Sequence, residues 1–135
     1  MKYTKHFKFK ERPSKTTERQ KSVIKLDNLF SEYIRLRDCD DNGMITCITC
    51  GHKQHWTHAQ CGHYMKRINA STRYDLQNCA AQCSTCNCGN DGLQDEHGKA
   101  IDRMYGEGTA EKLQRLSSGY ATVTPSICKA IACNQ

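Results

Sequence analysis

The chain has 135 residues, of which 37% are hydrophobic and 25% charged. That length holds one domain, or one domain with arms, and so small an apolar share excludes a large self-sufficient core. No stretch approaches the roughly 20 apolar residues of a membrane-crossing helix, so partners other than the bilayer are expected. Ten cysteines then offer the staples that a small core needs, as metal ligands or as disulfides. Residues 1–25 are basic and carry no apolar run ahead of a cleavage site, so the expected setting is the reducing cytoplasm, where paired cysteines read as zinc ligands.

The net charge of +6 is unevenly placed. Residues 1–25 contain nine Lys or Arg against Glu11 and Glu18, and the other 110 residues contain eleven basic and twelve acidic side chains. A strongly basic arm on a near-neutral domain suits a polyanion, and equally a solubilising tail. Residues 1–22 read as such an arm, rich in Lys, Arg, Thr and Ser and without a folded pattern. From Val23 the pattern changes: Leu26, Leu29, Phe30, Tyr33, Ile34 and Leu36 recur at helical spacing and predict a helix from about Ile24 to Arg37. Arg35 and Arg37 fall near its negative end. Asp38 to Gly43 then supplies turn residues.

Met44 to Ile48 is β-rich and runs into Cys47-Ile-Thr-Cys50-Gly51, a strand entering a zinc knuckle, with Lys53 to Trp56 as the return strand. Cys61 to Met65 and Leu76 to Gln82 predict a hairpin around a polar, basic loop, Lys66 to Asp75. A second knuckle, Cys83-Ser-Thr-Cys86-Asn87, follows. Asp95 to Met104 and Thr109 to Leu116 predict two further helices, with Thr109 as N-cap of the second. Residues 117–135 form a tail without a clear period. The fold expected is a small zinc-stabilised α+β domain over 23–116, with a helix before the zinc module and short helices after it.

Two C-x2-C turns supply the four thiolates of a tetrahedral structural zinc, and Cys47, Cys50, Cys83 and Cys86 are the candidate ligands. His52, His55 and His58 crowd the first knuckle, and any of them could replace a cysteine. A zinc with four thiolates has no open position, so chemistry would fall to the residues it holds in place. Phosphodiester hydrolysis needs a base, a divalent cation at the phosphate and a group that orients the base. His63 can be the base, Asn78 can hold its imidazole, and Asn87 can ligate Mg²⁺ or Mn²⁺ through its amide oxygen.

His63, Asn78 and Asn87 in this cysteine frame resemble the H-N-N form of the HNH, or ββα-metal, nuclease motif, and the arrangement is similar to that of phage T4 endonuclease VII. A fuller resemblance is to the phage lambda NinG recombination family. It rests on LDNLFSEYIRLRDCDDNG, CITCG, CGHY, TRYDLQNCAAQC and STCN, and continues through EHGKAID and YGEGTAEKL, over roughly residues 26–116. The resemblance implies an HNH-like domain with structural zinc and a catalytic Mg²⁺ or Mn²⁺. It also implies a structure-specific endonuclease that nicks or resolves branched recombination intermediates, Holliday junctions and D-loops, in the bacterial host cytoplasm. Branched DNA, phage or host recombination proteins and a second copy of the chain are the expected partners. The alternative is a zinc-dependent DNA-binding module without activity. The basic arm with Lys66, Arg67 and Arg73 would face phosphates. Many HNH sites place Asp or His before the base, whereas here Gly62 stands there. Asp91, four residues after Asn87, is the first candidate for the missing ligand, followed by Asp75, Asp95 and Glu96.

Overall fold

The computed structural model describes residues 15–89 and 93–119. The first helix, α1, spans Glu18–Arg37 and starts six residues before the expected Ile24. A capping box explains the earlier start: the Thr17 side chain accepts from the Gln20 N–H while the Gln20 side chain accepts from the Thr17 N–H. Hydrophobic periodicity misses that turn because the box is polar. Of the apolar face, Phe30 and Ile34 are buried, whereas Tyr33 and Leu36 remain exposed. Arg37 does more than complement the helix end. It pairs with Asp38 and donates to the carbonyls of Leu76 and Cys79, which ties the helix to the hairpin beyond.

Asp40 closes the turn after α1 by accepting from the Asn42 and Met44 N–H groups, and Gly43 adopts φ +74° there. Strands β1 (Met44–Thr46) and β2 (Lys53–His55) pair antiparallel around the first knuckle, with Ile45 opposite Gln54. A 3-10 turn over Trp56–His58 leads to β3 (Gln60–His63), which pairs antiparallel with β4 (Cys79–Gln82). Both strands are shorter than expected, and Leu76 to Asn78 lie in the turn before β4. Helix α2 (Ser84–Cys88) follows β4 at once.

Helices α3 (Gln94–Tyr105) and α4 (Thr109–Ser117) lie where periodicity predicts them. Thr109 is not the N-cap of α4. Gly108, at φ +88°, takes that position, and the first turn is satisfied instead by Asp102 of α3, which accepts from the Ala110 N–H at 2.8 Å. The architecture is α+β, with two small antiparallel sheets and four helices among the described residues.

The apolar interior is divided. Phe30 and Ile34 pack on Tyr74 and Cys79, joining α1 to the β3–β4 hairpin. Ile45, Ala59 and Ala81 form a second group, partly covered by the lone Trp56. Tyr64 and Met65 pack on Ile101, Ala110 and Leu113, which seats α3 and α4. Gly98 lets α3 approach: a Cβ there would lie 2.9 Å from the Tyr64 ring. Cys47, Cys83 and Cys86 make the fourth group, where thiols stand in for hydrocarbon.

Candidate functional site

The four knuckle cysteines come together as their spacing predicts. Each turn holds two thiols, and the sulfur atoms of Cys47, Cys50, Cys83 and Cys86 all lie within 4.8 Å of one another. The Cys50 and Cys83 sulfurs are 3.7 Å apart. Zinc at about 2.3 Å from each of four tetrahedral thiolates places them about 3.8 Å apart, so the cage has the size for that ion. Burial opposes ionisation of Cys47, but backbone N–H groups at Cys50, Cys83 and Thr49 outweigh it and bring the thiol down to about 7. Burial and the neighbouring Cys50 and Cys83 thiols push Cys86 up. Such a cluster cannot lose all its protons without a cation among them, which is the chemistry of a structural zinc site. Gly51 takes φ +75° behind the first pair and donates to the Cys47 carbonyl. His52, His55 and His58 are exposed and lie outside the cluster.

His63 sits on β3 directly opposite Cys79 of β4. Its Nε2 lies 3.0 Å from the Arg73 carbonyl, which can only accept, so Nε2 carries the proton and Nδ1 keeps the lone pair. Burial lowers the pKa of the ring below the ordinary 6.5, and the nearby Arg67 charge acts in the same direction. The imidazole is therefore neutral at pH 7.

Asn78 does not hold His63, contrary to the sequence expectation. It is fully buried, and its amide is spent on the loop between the strands. Oδ1 accepts from the Met65 N–H at 2.7 Å, and Nδ2 donates to the carbonyls of Met65 at 3.0 Å and Thr72 at 2.9 Å. Asn78 thus closes the neck of the loop, and the loop presents the Arg73 carbonyl to His63.

Asn87 lies on α2, and its Nδ2 donates to Gln60 Oε1 at 2.8 Å. Among the described residues its Oδ1 makes no hydrogen bond, so the acceptor suited to a hard cation is left free. His63 and Asn87 line one cleft of about 740 Å³, together with Gln60, Cys61 and Asp27. Lys66 and Arg67 are exposed on its wall.

Arg73 is not free for a phosphate. Its Nε donates to Asp27 Oδ1 at 2.9 Å, its Nη2 to Asp27 Oδ2, and its Nη1 to the Arg67 carbonyl. Asp27 also accepts from the Tyr74 hydroxyl. Burial opposes its ionisation, but these donors keep its pKa below the ordinary carboxylate value. Sequence reading passed over Asp27 and Gln60. Asp27 follows Leu26 on a helix read for its apolar face, and only the fold reveals that it meets Arg73, 46 positions later.

Gly62 is buried, and a Cβ there would lie 1.9 Å from Gln82 Oε1. The position before His63 therefore faces the Gln82 side chain and has no room for a ligand. Asp91 lies outside the described residues. Asp75 spends its carboxylate on the Gln77 and Asn78 N–H groups, while Asp95 and Glu96 are exposed on α3, and none of the three lines the cleft.

Among the described residues no helix is long and apolar enough to cross a membrane. No curated protein and no solved structure matches the chain. The family model described as Bacteriophage Lambda NinG protein matches residues 2–129, nearly the whole sequence and every element that builds the cleft and the cysteine cage. The chain therefore belongs to the bacteriophage lambda NinG protein family.

Proposed function

We propose that the protein is an HNH-like, divalent-metal-dependent endonuclease that cuts branched DNA in phage recombination. The observation that carries this reading is the neutral His63, fixed through Nε2 by the Arg73 carbonyl, in a cleft shared with Asn87. The order β3, β4, α2, with His63 on the first strand and Asn87 on the helix, supports this reading.

In this reading His63 Nδ1 takes a proton from the attacking water, as a general base whose tautomer is already set. Asn87 Oδ1 would hold Mg²⁺ or Mn²⁺, which supplies charge neutralisation at the scissile phosphate. Gln60 orients the Asn87 amide so that its oxygen is turned to that task. Lys66 and Arg67 bind flanking phosphates without reading sequence. Arg73, committed to Asp27, shapes the loop instead. The cysteine cage would hold zinc as scaffold. Four-way junctions and D-loops are the substrates, two cuts per junction call for two copies of the chain, and the bacterial cytoplasm is where this DNA is met.

One observation favours a second reading, a zinc-dependent DNA-binding module without activity: Asp27 is the one carboxylate among the described residues lining the cleft, and Arg73 occupies it. A cleavage assay of wild type and His63→Ala on a four-way junction and a matching linear duplex, with and without Mg²⁺, separates the two. The nuclease reading expects Mg²⁺-dependent cutting of the junction that His63→Ala abolishes while binding persists. Binding without any cutting by wild type, in Mg²⁺ or Mn²⁺, assigns the silent module.

A further inference from the structure

Three thiophilic donors stand apart from the zinc cage. The side-chain ligand atoms of Cys61, His63 and Cys79 all lie within 4.8 Å of one another. Strand geometry places them there. His63 is directly opposite Cys79 in the β3–β4 register, and Cys61, two residues before His63, projects from the same face. Cys79 is fully buried against Phe30 and Ile34, whereas Cys61 and His63 are half-buried and line the cleft.

We propose that Cys61, His63 and Cys79 form a second metal site, one that takes a thiophilic dication such as Zn²⁺ or Cd²⁺ and rejects Mg²⁺. Two thiolates and an imidazole are soft or borderline donors, poorly matched to a hard cation. A histidine that ligates a metal with one nitrogen characteristically donates its other N–H to a carbonyl or carboxylate, and His63 already does so to Arg73. Three protein ligands leave the fourth tetrahedral position open, and two of the three, Cys61 and His63, line the cleft. The site binds more weakly than the four-thiolate cage and fills only when that cage is full. Metal there takes the one lone pair of the neutral imidazole. If His63 is the base of the proposed nuclease, occupancy and cleavage exclude each other, and zinc in excess switches the enzyme off. That consequence rests on the nuclease reading, whereas the binding site does not.

The test uses the full chain, reduced and loaded with structural zinc, titrated with Zn²⁺ and with Co²⁺ as a visible probe. Wild type is expected to hold two ions per chain and each of Cys61→Ser, Cys79→Ala and His63→Ala one, with the thiolate-to-Co²⁺ absorption of the second ion lost in Cys61→Ser. Saturation of wild type at one ion, or two ions retained by all three variants, overturns the site. In Mg²⁺ with excess Zn²⁺, wild-type cleavage is expected to fall by about 10²-fold or more, the scale of losing a general base, while Cys61→Ser resists. Two ions bound with cleavage unaffected leaves the site standing and overturns the inhibition. If wild type cuts nothing in Mg²⁺ alone, the nuclease reading fails and the stoichiometry still decides the site.

Discussion

Replacing Asn78 by alanine separates the two roles open to this residue. Its amide makes three buried hydrogen bonds, to the Met65 N–H and to the carbonyls of Met65 and Thr72. Thr72 is fully buried and Met65 nearly so, so water cannot replace the lost partners. Each orphaned buried group costs about 1–3 kcal/mol. Allowing for some relaxation of the loop, Asn78→Ala should cost about 3–5 kcal/mol, a large share of the 5–15 kcal/mol that holds a typical domain together. Urea unfolding of the zinc-loaded protein at constant pH gives the loss directly, from the shift of the midpoint at unchanged slope. Hydrogen exchange gives a second readout, because the Met65 amide loses its acceptor and should exchange much faster. Asn78→Asp keeps that acceptor but sets a carboxylate against two carbonyls, so it should protect the Met65 amide and still destabilise. A stability loss below about 1 kcal/mol, with cleavage abolished, would refute this account and return Asn78 to a direct role at the imidazole.

Removing zinc with a chelator should abolish the cooperative melting transition, because Cys47, Cys83 and Cys86 form one of the four buried clusters; an apo protein that keeps its transition by calorimetry contradicts this. His97 is buried, its Nε2 has no hydrogen-bond partner among the described residues, and burial, with the nearby His63, lowers its pKa to about 4. The folded state therefore resists protonation that the unfolded chain accepts at 6.5: stability is intact above that pH, falls as pH drops toward 4, and the total loss is about 3 kcal/mol. Thiolates and Asp27 also weaken the fold in acid, so the check is the difference in urea midpoint between wild type and His97→Leu across that window, which should be pH-dependent. Gly62→Ala should destabilise by about 1–3 kcal/mol or more through the collision with Gln82, whose amide is anchored on Thr49, and an unchanged melting temperature would show that the strand yields. Lys66→Ala with Arg67→Ala should lower the slope of log affinity for DNA against log salt by about 2 without changing zinc content, and an unaltered slope would place the phosphates elsewhere.

Spacing made the cysteine cage legible, because zinc ligation needs two thiols per tight turn and the chain supplies two such turns. Periodicity made α1, α3 and α4 legible for a similar reason: one buried face imposes one repeat. The pattern also placed His63 and Asn87 in a common frame. What each side chain touches was beyond it. Asn78 proved to be a loop anchor and Arg73 an ion-pair partner of Asp27, because hydrogen-bond capacity is assigned by burial and by neighbours far along the chain.

By itself, then, the sequence determined which local elements form, which four thiols come together in a cage that could hold a metal ion, and which family the chain belongs to. Tertiary structure alone decided that the position before His63 is filled by Gln82, that His63 keeps its lone pair on Nδ1, and that Cys61 and Cys79 stand beside it. The physical reason is range. Turns, caps and periodic faces are set within a few residues, whereas the tautomer of a histidine or the freedom of an arginine depends on groups that only the packed β3–β4 hairpin and α1 bring into contact.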